Sequence, residues 1–282
     1  MTPNLTTITL NRAQRTSLKT RTYQMNVTVL TIKNSFYGKK IIVALRRAGI
    51  TVSVVVVKQS ISQKQKLFRS VARRLGLVDA LKLSFIRAID GVKQHYRIAK
   101  ENQELLKDYS GFCQQVIFSN STNHLETEHA LKESKTDLLV LGHSGIVRKN
   151  ILRIPKIGVL NGHPGILPFY RGIDCPHWAL LNGDNNKIGA TVHWVDEGID
   201  TGRIIITKKY RINKITTISI LEEELYTLCS EMIANVVVQI TSGKIPEGTP
   251  QHPEEGQQYF KMPYKSVRKL KSILQSYQKL EK

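Results

Sequence analysis

The sequence predicts an α/β protein built on a doubly wound, mainly parallel sheet. Residues 26–32 (NVTVLTI) predict a first strand, followed by a helix over Lys39–Ala48 and a second strand over Ile50–Val57. The apolar run DLLVL at residues 137–141 predicts a strand buried on both faces. Alternating apolar residues over Ala190–Val195 predict a further strand. Strands that alternate with helices are typical of this fold class.

The intervening elements follow the same periodicities. The segments Ser60–Asp108 and Asn123–Lys135 predict helices, and Gln115–Phe118 predicts a strand between them. The first of these helical segments is strongly basic at its start. Ser219 and Glu222 form a capping-box pattern, which predicts the start of a helix that packs on the sheet.

The sequence divides into three expected segments. Residues 1–24 are rich in Thr and Arg and contain no acidic residue, which is typical of an organelle transit peptide or a disordered tail; a misplaced start codon before Met25 explains them equally well. Residues 25–243 form the predicted α/β domain. Residues 244–282 comprise a polar, proline-containing linker and a basic amphipathic helix, which we expect to dock on the domain.

Composition limits the class of protein. The chain has 282 residues, 41% of them hydrophobic, which is enough for a sizeable core. Its formal net charge of +20 favours anionic partners, although a solvated basic surface explains the same value. Cys113, Cys175 and Cys229 are widely spaced, which favours free thiols in a reducing cytosol over disulfides or a zinc site. No apolar run approaches the ~20 residues that span a membrane.

The candidate site lies between Gly158 and Ile206. Asn161 and His163 follow a short apolar run that ends in an Asn-Gly turn. We therefore expect both at the carboxyl end of a strand, which is the edge where open α/β sheets bind ligands. His193 lies on a strand that faces the same end, and Asp200 lies in a tight turn between two strands.

These residues carry a family resemblance. The pattern Asn161-Gly-His163-Pro-Gly-x-Leu-Pro-x-Tyr-Arg-Gly, followed by Gly189-x-Thr-Val-His193-Trp-Val-x-Glu-x-Ile-Asp200-x-Gly202, resembles the active-site signature of folate-dependent formyltransferases. That family includes glycinamide ribonucleotide, methionyl-tRNA and amino-sugar N-formyltransferases. The two halves at this spacing are more specific than either half alone. The resemblance covers residues 25–243 and implies a Rossmann-like formyltransferase catalytic domain.

The resemblance also implies a reaction and roles for the site residues. It implies transfer of a formyl group from 10-formyltetrahydrofolate to a primary amine, with no metal. Asn161 and His163 would bind the formyl oxygen, and Asp200 would pair with His163 and order a water that relays a proton. His193 and Arg171 would be accessory residues. An amide, an imidazole and a carboxylate can supply the oxyanion stabilisation and the proton route that this reaction needs.

A second loop at the same sheet edge is the expected folate site. By resemblance, four residues lie near the pterin: Gly142, Ser144, Ile146 and Val147. His143 either lines that pocket or only ends its strand. The turn after the first strand, at residues 33–38, has no Gly-x-Gly-x-x-Gly, which argues against a dinucleotide. The family's ribonucleotide-binding members carry a glycine-rich phosphate loop there, so its absence makes glycinamide ribonucleotide a weaker acceptor candidate.

Several alternatives stay open at this point. An Asx turn explains Asp200 without catalysis. His163, His193 and Asp200 also match a set of two histidines and one carboxylate that binds metals, which is the weaker interpretation because no second acidic ligand accompanies them. The same residues would serve a formyltetrahydrofolate hydrolase. A non-catalytic basic RNA- or anion-binding protein would explain the net charge.

The expected acceptor is a small anionic amine of the amino-sugar nucleotide or glycinamide ribonucleotide type. A methionyl-tRNA acceptor ranks lower, because few residues follow Gly243 and full-length enzymes of that type append a β-barrel domain. Nucleic acid is therefore a less favoured partner, no membrane partner is expected, and a homodimer stays open. The expected location is cytoplasmic, with organelle targeting by residues 1–24 as the alternative.

Overall fold

The computed structural model describes residues 25–101, 109–111, 113–212 and 217–279. Its strands are β1 (Val27–Ile32), β2 (Val52–Val57), β3 (Gln115–Ser119), β4 (Leu138–Gly142), β5 (Gly158–His163), β6 (Tyr170–Gly172), β7 (Gly189–Trp194), β8 (Ile204–Lys209) and β9 (Gln257–Tyr259). Its helices are α1 (Phe36–Arg47), α2 (Ile61–Leu75), α3 (Leu77–Glu101), α4 (Leu125–Glu133), α5 (Lys149–Leu152), α6 (Cys175–Leu181), α7 (Ile218–Thr241) and α8 (Tyr264–Lys279). None of the described helices is long and apolar enough to cross a membrane.

Seven strands form the central sheet in the order β3-β2-β1-β4-β5-β7-β8. The pairs from β3 to β5 are parallel, whereas β7 is antiparallel to both β5 and β8. This arrangement confirms the predicted α/β fold with a mainly parallel, mixed sheet. A separate pair of short parallel strands joins β6 to β9.

Helices cover both faces of the sheet. Along β4, Leu138 and Val140 pack towards α1 and α7, whereas Leu139 and Leu141 pack towards α4 and α5. Successive side chains of a strand point to opposite faces, so an unbroken apolar run is needed where both faces are covered. The predicted apolar stripe of α7 is buried in the core, except that Leu228 is only partly buried.

Two helices begin at different residues from those predicted. The α1 helix begins earlier, because Ser35 Oγ accepts a hydrogen bond from the Gly38 N–H at 3.0 Å and caps it. In α7, Thr217 Oγ1 accepts from the Ile220 N–H at 3.2 Å. Ser219 is therefore not the cap; it lies inside the first turn. The prediction for α7 was wrong because Thr217 and Ser219 offer equivalent caps in the sequence.

The basic helical segment is two helices rather than one. Gly76 separates α2 from α3 with a φ of +88°, which a glycine adopts readily. The α2 helix has no buried residue, and in α3 Ala80 and Leu83 are buried. Residues 102–108 of the predicted helix lie outside the described residues.

The C-terminal residues form a third packed cluster. Leu270 and Leu274 of α8 are buried against Tyr170 and Leu180, as expected for an amphipathic helix that docks on the domain. The three cysteines are free thiols, as predicted from their spacing. Residues 1–24 and 280–282, which include the predicted tail, lie outside the described part of the chain.

Candidate active site

The antiparallel pairing of β5 with β7 brings three of the predicted residues together. Asn161 and His163 are two apart on β5, so both side chains point to the same face. In the register of the two strands, Asn161 lies opposite His193. His163 and His193 are 3% and 1% exposed, whereas Asn161 is half-buried. The amide is therefore the group of the three that is most open to a ligand.

The turn between β7 and β8 adds the carboxylate. Asp200 Oδ2 lies 3.4 Å from His163 Nδ1, and its Oδ1 lies 3.5 Å from His193 Nε2. The Gly172 N–H donates a hydrogen bond to Oδ2 at 2.9 Å. The backbone of Asp200 has a φ of +53°, in the left-handed region that non-glycine residues rarely adopt. This conformation directs the carboxylate to both imidazoles.

The hydrogen bonds fix the proton positions on His193. Its Nδ1 lies 2.7 Å from the Trp194 carbonyl oxygen, which can only accept, so Nδ1 carries a proton. Its Nε2 then accepts from the Asn161 amide nitrogen at 3.2 Å. The same amide nitrogen lies 3.5 Å from Asp200 Oδ1. Both Asn161 contacts are long, so the amide has donor capacity to offer a substrate oxygen.

His163, like His193, donates a hydrogen bond from one ring nitrogen to a backbone carbonyl oxygen. Its Nε2 lies 2.8 Å from the Tyr170 carbonyl oxygen and must donate to it. Burial lowers the pKa of His163, and the neighbouring His193 acts in the same direction, whereas Asp200 opposes them. Both ring nitrogens of His163 thus face protein oxygens, and its Nδ1 faces Asp200 rather than solvent.

The carboxylate of Asp200 is strongly favoured in its ionised form. Burial alone would raise its pKa, but His163, His193 and the Gly172 N–H outweigh burial and hold the pKa well below its usual range. A buried carboxylate that stays ionised beside two imidazoles can accept a proton during a reaction.

Tyr37 is a supporting residue that the sequence analysis missed. Its hydroxyl, from the first turn of α1, donates to the Gly162 carbonyl oxygen at 2.8 Å. Gly162 lies between Asn161 and His163, so this bond holds the end of β5 that carries both candidate residues. A Cβ atom at Gly162 would lie 2.6 Å from the Tyr37 hydroxyl, which explains the glycine. An aromatic residue shortly after the first strand was the available signal, and it pointed equally well to packing.

The predicted folate loop follows β4 at the same sheet edge. Thr31 Oγ1 donates to the Gly142 carbonyl oxygen at 2.6 Å. Ser144 is buried, and its carbonyl oxygen accepts from Thr122. Val147 packs into the core, whereas Ile146 is 70% exposed. The backbone of this loop is therefore fixed by its neighbours, and Ile146 offers the open apolar side chain.

His143 and Arg171 lie on different elements, the loop after β4 and the strand β6. His143 has a φ of +63°, and its Nε2 lies 3.0 Å from the Tyr226 hydroxyl. Its ring also contacts Tyr37 edge-on, with 5.1 Å between centroids. His143 therefore forms part of an aromatic cluster beside the site and does more than end its strand. Arg171 lies half-buried on β6, directly before Gly172.

The metal interpretation finds no support at Asp200. The Asn161 amide nitrogen, a hydrogen-bond donor, lies 3.2 Å from His193 Nε2 and 3.5 Å from Asp200 Oδ1, so it contacts both atoms that a shared cation would need as ligands. Among the described residues, the ligand atoms of Asp174, His177 and Glu222 also lie within 4.8 Å of one another. Lys261 Nζ already lies 2.9 Å from Asp174 Oδ1 there and supplies the positive charge.

Comparison with known proteins decides the family. The sequence profile described as Formyl transferase matches residues 25–237. The chain belongs to the formyl transferase family. The match includes Asn161, His163, His193 and Asp200, so the predicted resemblance is confirmed. It ends inside α7, before the last 45 residues of the chain.

Two curated relatives are methionyl-tRNA formyltransferases. The one from Methylacidiphilum infernorum is 41% identical over 113 residues, which cover 40% of this chain and 35% of that protein. The one from Ehrlichia ruminantium (strain Gardel) is 36% identical over 126 residues, which cover 44% and 41% of the two chains. The matched region thus spans about two fifths of the length of these relatives.

Solved structures of the family share the fold. Glycinamide ribonucleotide transformylase 1 from Symbiobacterium toebii matches with a TM-score of 0.54 and 17% identity, covering 81% of this chain and 94% of that one. The N-formyltransferase from Helicobacter canadensis, solved with folinic acid and dTDP-3-aminofucose, matches with a TM-score of 0.52 and 14% identity, covering 83% and 70%. At this level of identity the likeness establishes the fold.

Proposed function

We propose that this formyl transferase moves a formyl group from 10-formyltetrahydrofolate to the primary amine of a small anionic acceptor. One observation carries the proposal. Asn161, His163 and Asp200 converge at the carboxyl end of the sheet, where the ionised Asp200 carboxylate lies within 3.5 Å of both the Asn161 amide and the His163 imidazole. These are the groups that acyl transfer to nitrogen needs.

Asn161 stabilises the oxyanion. When the neutral amine attacks the formyl carbon, a C–N bond forms and the formyl oxygen gains negative charge. The half-buried Asn161 amide donates to that oxygen, and its two long resting contacts are exchanged for the stronger one. A single donor of this kind is typically worth ~10²–10³ in rate.

Asp200 carries the proton. The attacking nitrogen must lose one proton, and N10 of tetrahydrofolate must gain one as its bond to the formyl carbon breaks. Asp200 accepts the first through a water molecule and supplies the second, so the carboxylate is regenerated. Its low pKa keeps it ionised at the start of each cycle. The Gly172 N–H donates to its Oδ2 and holds it in place, and His163 and His193 flank its two oxygens.

The folate, a co-substrate, would lie along residues 142–147. Gly142, Ser144, Ile146 and Val147 fit this use because their backbone is already fixed by neighbours, and Ile146 supplies an exposed apolar side chain for a flat ring. Both substrates then meet at the edge of the sheet where Asn161 projects.

An amino-sugar nucleotide or glycinamide ribonucleotide is the proposed acceptor class. The net charge of +20 favours an anionic molecule, and the half-buried Arg171 lies next to Gly172, which contacts Asp200. A second candidate is methionyl-tRNA, since relatives up to 41% identical over the matched region carry that name. Those relatives are matched over only part of their length.

The test follows the absorbance change as purified protein converts 10-formyltetrahydrofolate to tetrahydrofolate. The reaction is run with dTDP-amino sugars, UDP-amino sugars, glycinamide ribonucleotide and methionyl-tRNA, and without an amine. We expect turnover that depends on one anionic small-molecule amine. Turnover with methionyl-tRNA alone would transfer the proposal to the second candidate. Equal turnover without any amine would make the protein a hydrolase and contradict formyl transfer.

A further inference from the structure

The C-terminal segment at residues 246–262 was expected to be partly a linker, but it crosses the catalytic edge of the sheet. The Pro246 carbonyl oxygen accepts from Trp194 Nε1 at 2.9 Å. Thr249 then exchanges two backbone hydrogen bonds with Ile204, at 2.7 and 2.8 Å. These contacts attach the segment to the ends of β7 and β8, which are the two strands that flank the Asp200 turn.

Gln251 makes the contact that matters most for the site. Its side-chain nitrogen donates to the Asp200 carbonyl oxygen at 3.0 Å and also to the Gly202 carbonyl oxygen. One amide group therefore joins both ends of the short turn that presents the Asp200 carboxylate. Both acceptors are backbone carbonyls, so only the NH₂ side of the amide can face them. The Gln251 oxygen is buried and has no hydrogen-bond partner among the described residues.

The Asp200 turn needs such support. A left-handed conformation is unfavourable for a non-glycine residue, and it persists only where the surroundings favour it. Without the Gln251 bonds, the backbone of Asp200 could relax towards a more common conformation. The carboxylate would then move away from His163 and His193, which it now faces at 3.4 and 3.5 Å.

The same segment also supports the opposite side of the site. Its strand β9 pairs with β6, and the Gln257 N–H donates to the Phe169 carbonyl oxygen at 3.0 Å. The β6 strand provides two groups that contact the catalytic residues: the Tyr170 carbonyl oxygen and the Gly172 N–H. The C-terminal segment therefore holds both walls of the site, although the family match ends at residue 237.

We propose that Gln251 is a positioning residue for formyl transfer, and that its side-chain amide holds the Asp200 turn so that the carboxylate faces His163 and His193. This inference rests on the proposed function for its kinetic consequence. Its structural consequence, the position of Asp200, is independent of which acceptor the enzyme uses.

The test replaces Gln251 with methionine, which is neutral and of similar length but has no N–H donor. Gln257→Met is the matched control, because Gln257 lies in the same segment with an exposed side chain. We expect Gln251→Met to lower kcat by about tenfold to a hundredfold, since a displacement of order 1 Å at a reacting group can cost about 10²-fold. KM for the formyl donor should change much less than kcat, and Gln257→Met should behave like the wild type.

Two further measurements separate positioning from a merely structural role. The acid limb of the kcat/KM profile should move to higher pH in Gln251→Met, because Asp200 loses the imidazoles and the Gly172 N–H that lower its pKa. Amide exchange at Gly172 should accelerate, while exchange at Leu160 in the core of β5 stays at the wild-type rate.

These measurements test whether Gln251 positions Asp200 even if no acceptor is found. A wild type that turns over no amine would contradict the proposed function, and Gly172 exchange would still test the inference. Wild-type kcat and wild-type Gly172 exchange in Gln251→Met would overturn the inference. A lower melting temperature with unchanged kcat and an unchanged acid limb would also overturn it, because Gln251 would then stabilise the fold without positioning Asp200.

Discussion

The candidate-site edge of the sheet and the α2–α3 pair are built in opposite ways. At the site edge His163 and His193 are buried, and β5, β7, β6 and the C-terminal segment all contact the Asp200 turn or its partners. The α2 helix has no buried residue, and in α3 Leu81 and Phe85 are 55% and 68% exposed. The side chains of the candidate site are therefore held in defined positions, whereas much of the α2–α3 pair is exposed to solvent.

This comparison explains why chemistry is expected at one region and not the other. Each polar group of the candidate site has two or three named partners, so a displaced atom affects the whole set. The α2–α3 pair contacts the rest of the protein through the buried Ala80 and Leu83, through the bond from the Tyr264 N–H to Asp79, and through Arg74, which lies over the Phe260 ring, whereas its outer face is exposed. Substitutions on its outer face should therefore have small effects on folding and on the site.

The largest expected effect is on catalysis at Asp200. Asp200→Asn keeps the shape of the side chain but removes the charge and the proton acceptor. We expect kcat to fall by about 10²- to 10⁴-fold, the usual loss for a group that transfers a proton. Glu197→Gln is the control in the same turn, because its ion pair with Lys149 is solvent-exposed. Wild-type turnover by Asp200→Asn would remove Asp200 from the mechanism.

The next prediction compares how one substitution in each region changes the free energy of unfolding. Leu160 is fully buried on β5 next to Asn161, so Leu160→Ala should lower the free energy of unfolding by about 2–5 kcal/mol. Leu81→Ala on the exposed face of α3 should change it by no more than about 0.5 kcal/mol. Urea unfolding of both variants measures the difference. Equal losses would mean that the outer face of α3 is covered in solution.

A smaller effect is expected at the support of β5. Tyr37→Phe leaves the Gly162 carbonyl oxygen buried without its donor, which should cost about 1–3 kcal/mol of stability. Tyr226→Phe is the control, since its hydroxyl contacts His143 and not β5. We also expect kcat to fall only in Tyr37→Phe. Identical unfolding curves for wild type and Tyr37→Phe would show that the bond does not hold the strand.

The smallest effect is a change of stability with pH. The pKa of His163 lies below its ordinary value of 6.5 in the folded protein, so its contribution to stability is full above about pH 6.5. The contribution is lost as the pH falls through 6.5, because the unfolded chain then binds the proton more readily. Ionisation of Asp200 does not change the stability in this pH range, since its folded and unfolded pKa values are both lower.

Unfolding free energies between about pH 8 and pH 5 measure this dependence. We expect a shallower decline in His163→Asn than in the wild type. His252→Asn, at a 67% exposed side chain, controls for the loss of a surface imidazole. An unchanged decline in His163→Asn would assign the acid sensitivity to other groups.

The fold class and the gathering of Asn161, His163, His193 and Asp200 followed from local patterns. Apolar runs of strand length, cut off by turn residues, mark the carboxyl ends of strands, and those ends share one edge of a parallel sheet. The helix start at Thr217 was harder, because Thr217 and Ser219 both offer a capping hydroxyl and the packed helix selects one of them.

Gln251 could not be identified from its own neighbourhood. It is a polar residue in a proline-containing stretch, and the bond to Asp200 joins residues 51 positions apart. Long-range contacts of its segment, such as the isolated pairing of Thr249 with Ile204, bring Gln251 close to the Asp200 turn. Contacts of this kind depend on the tertiary path of the chain rather than on a sequence period.

The central claim is tested most directly by 10-formyltetrahydrofolate labelled with ¹³C in the formyl group, with the product observed by NMR in wild type and Asp200→Asn. We predict that the wild type yields a labelled formamide of an anionic amine, one for each tetrahydrofolate formed, and that Asp200→Asn yields almost none. Labelled formate instead of formamide, or equal formamide from both proteins, would contradict the account.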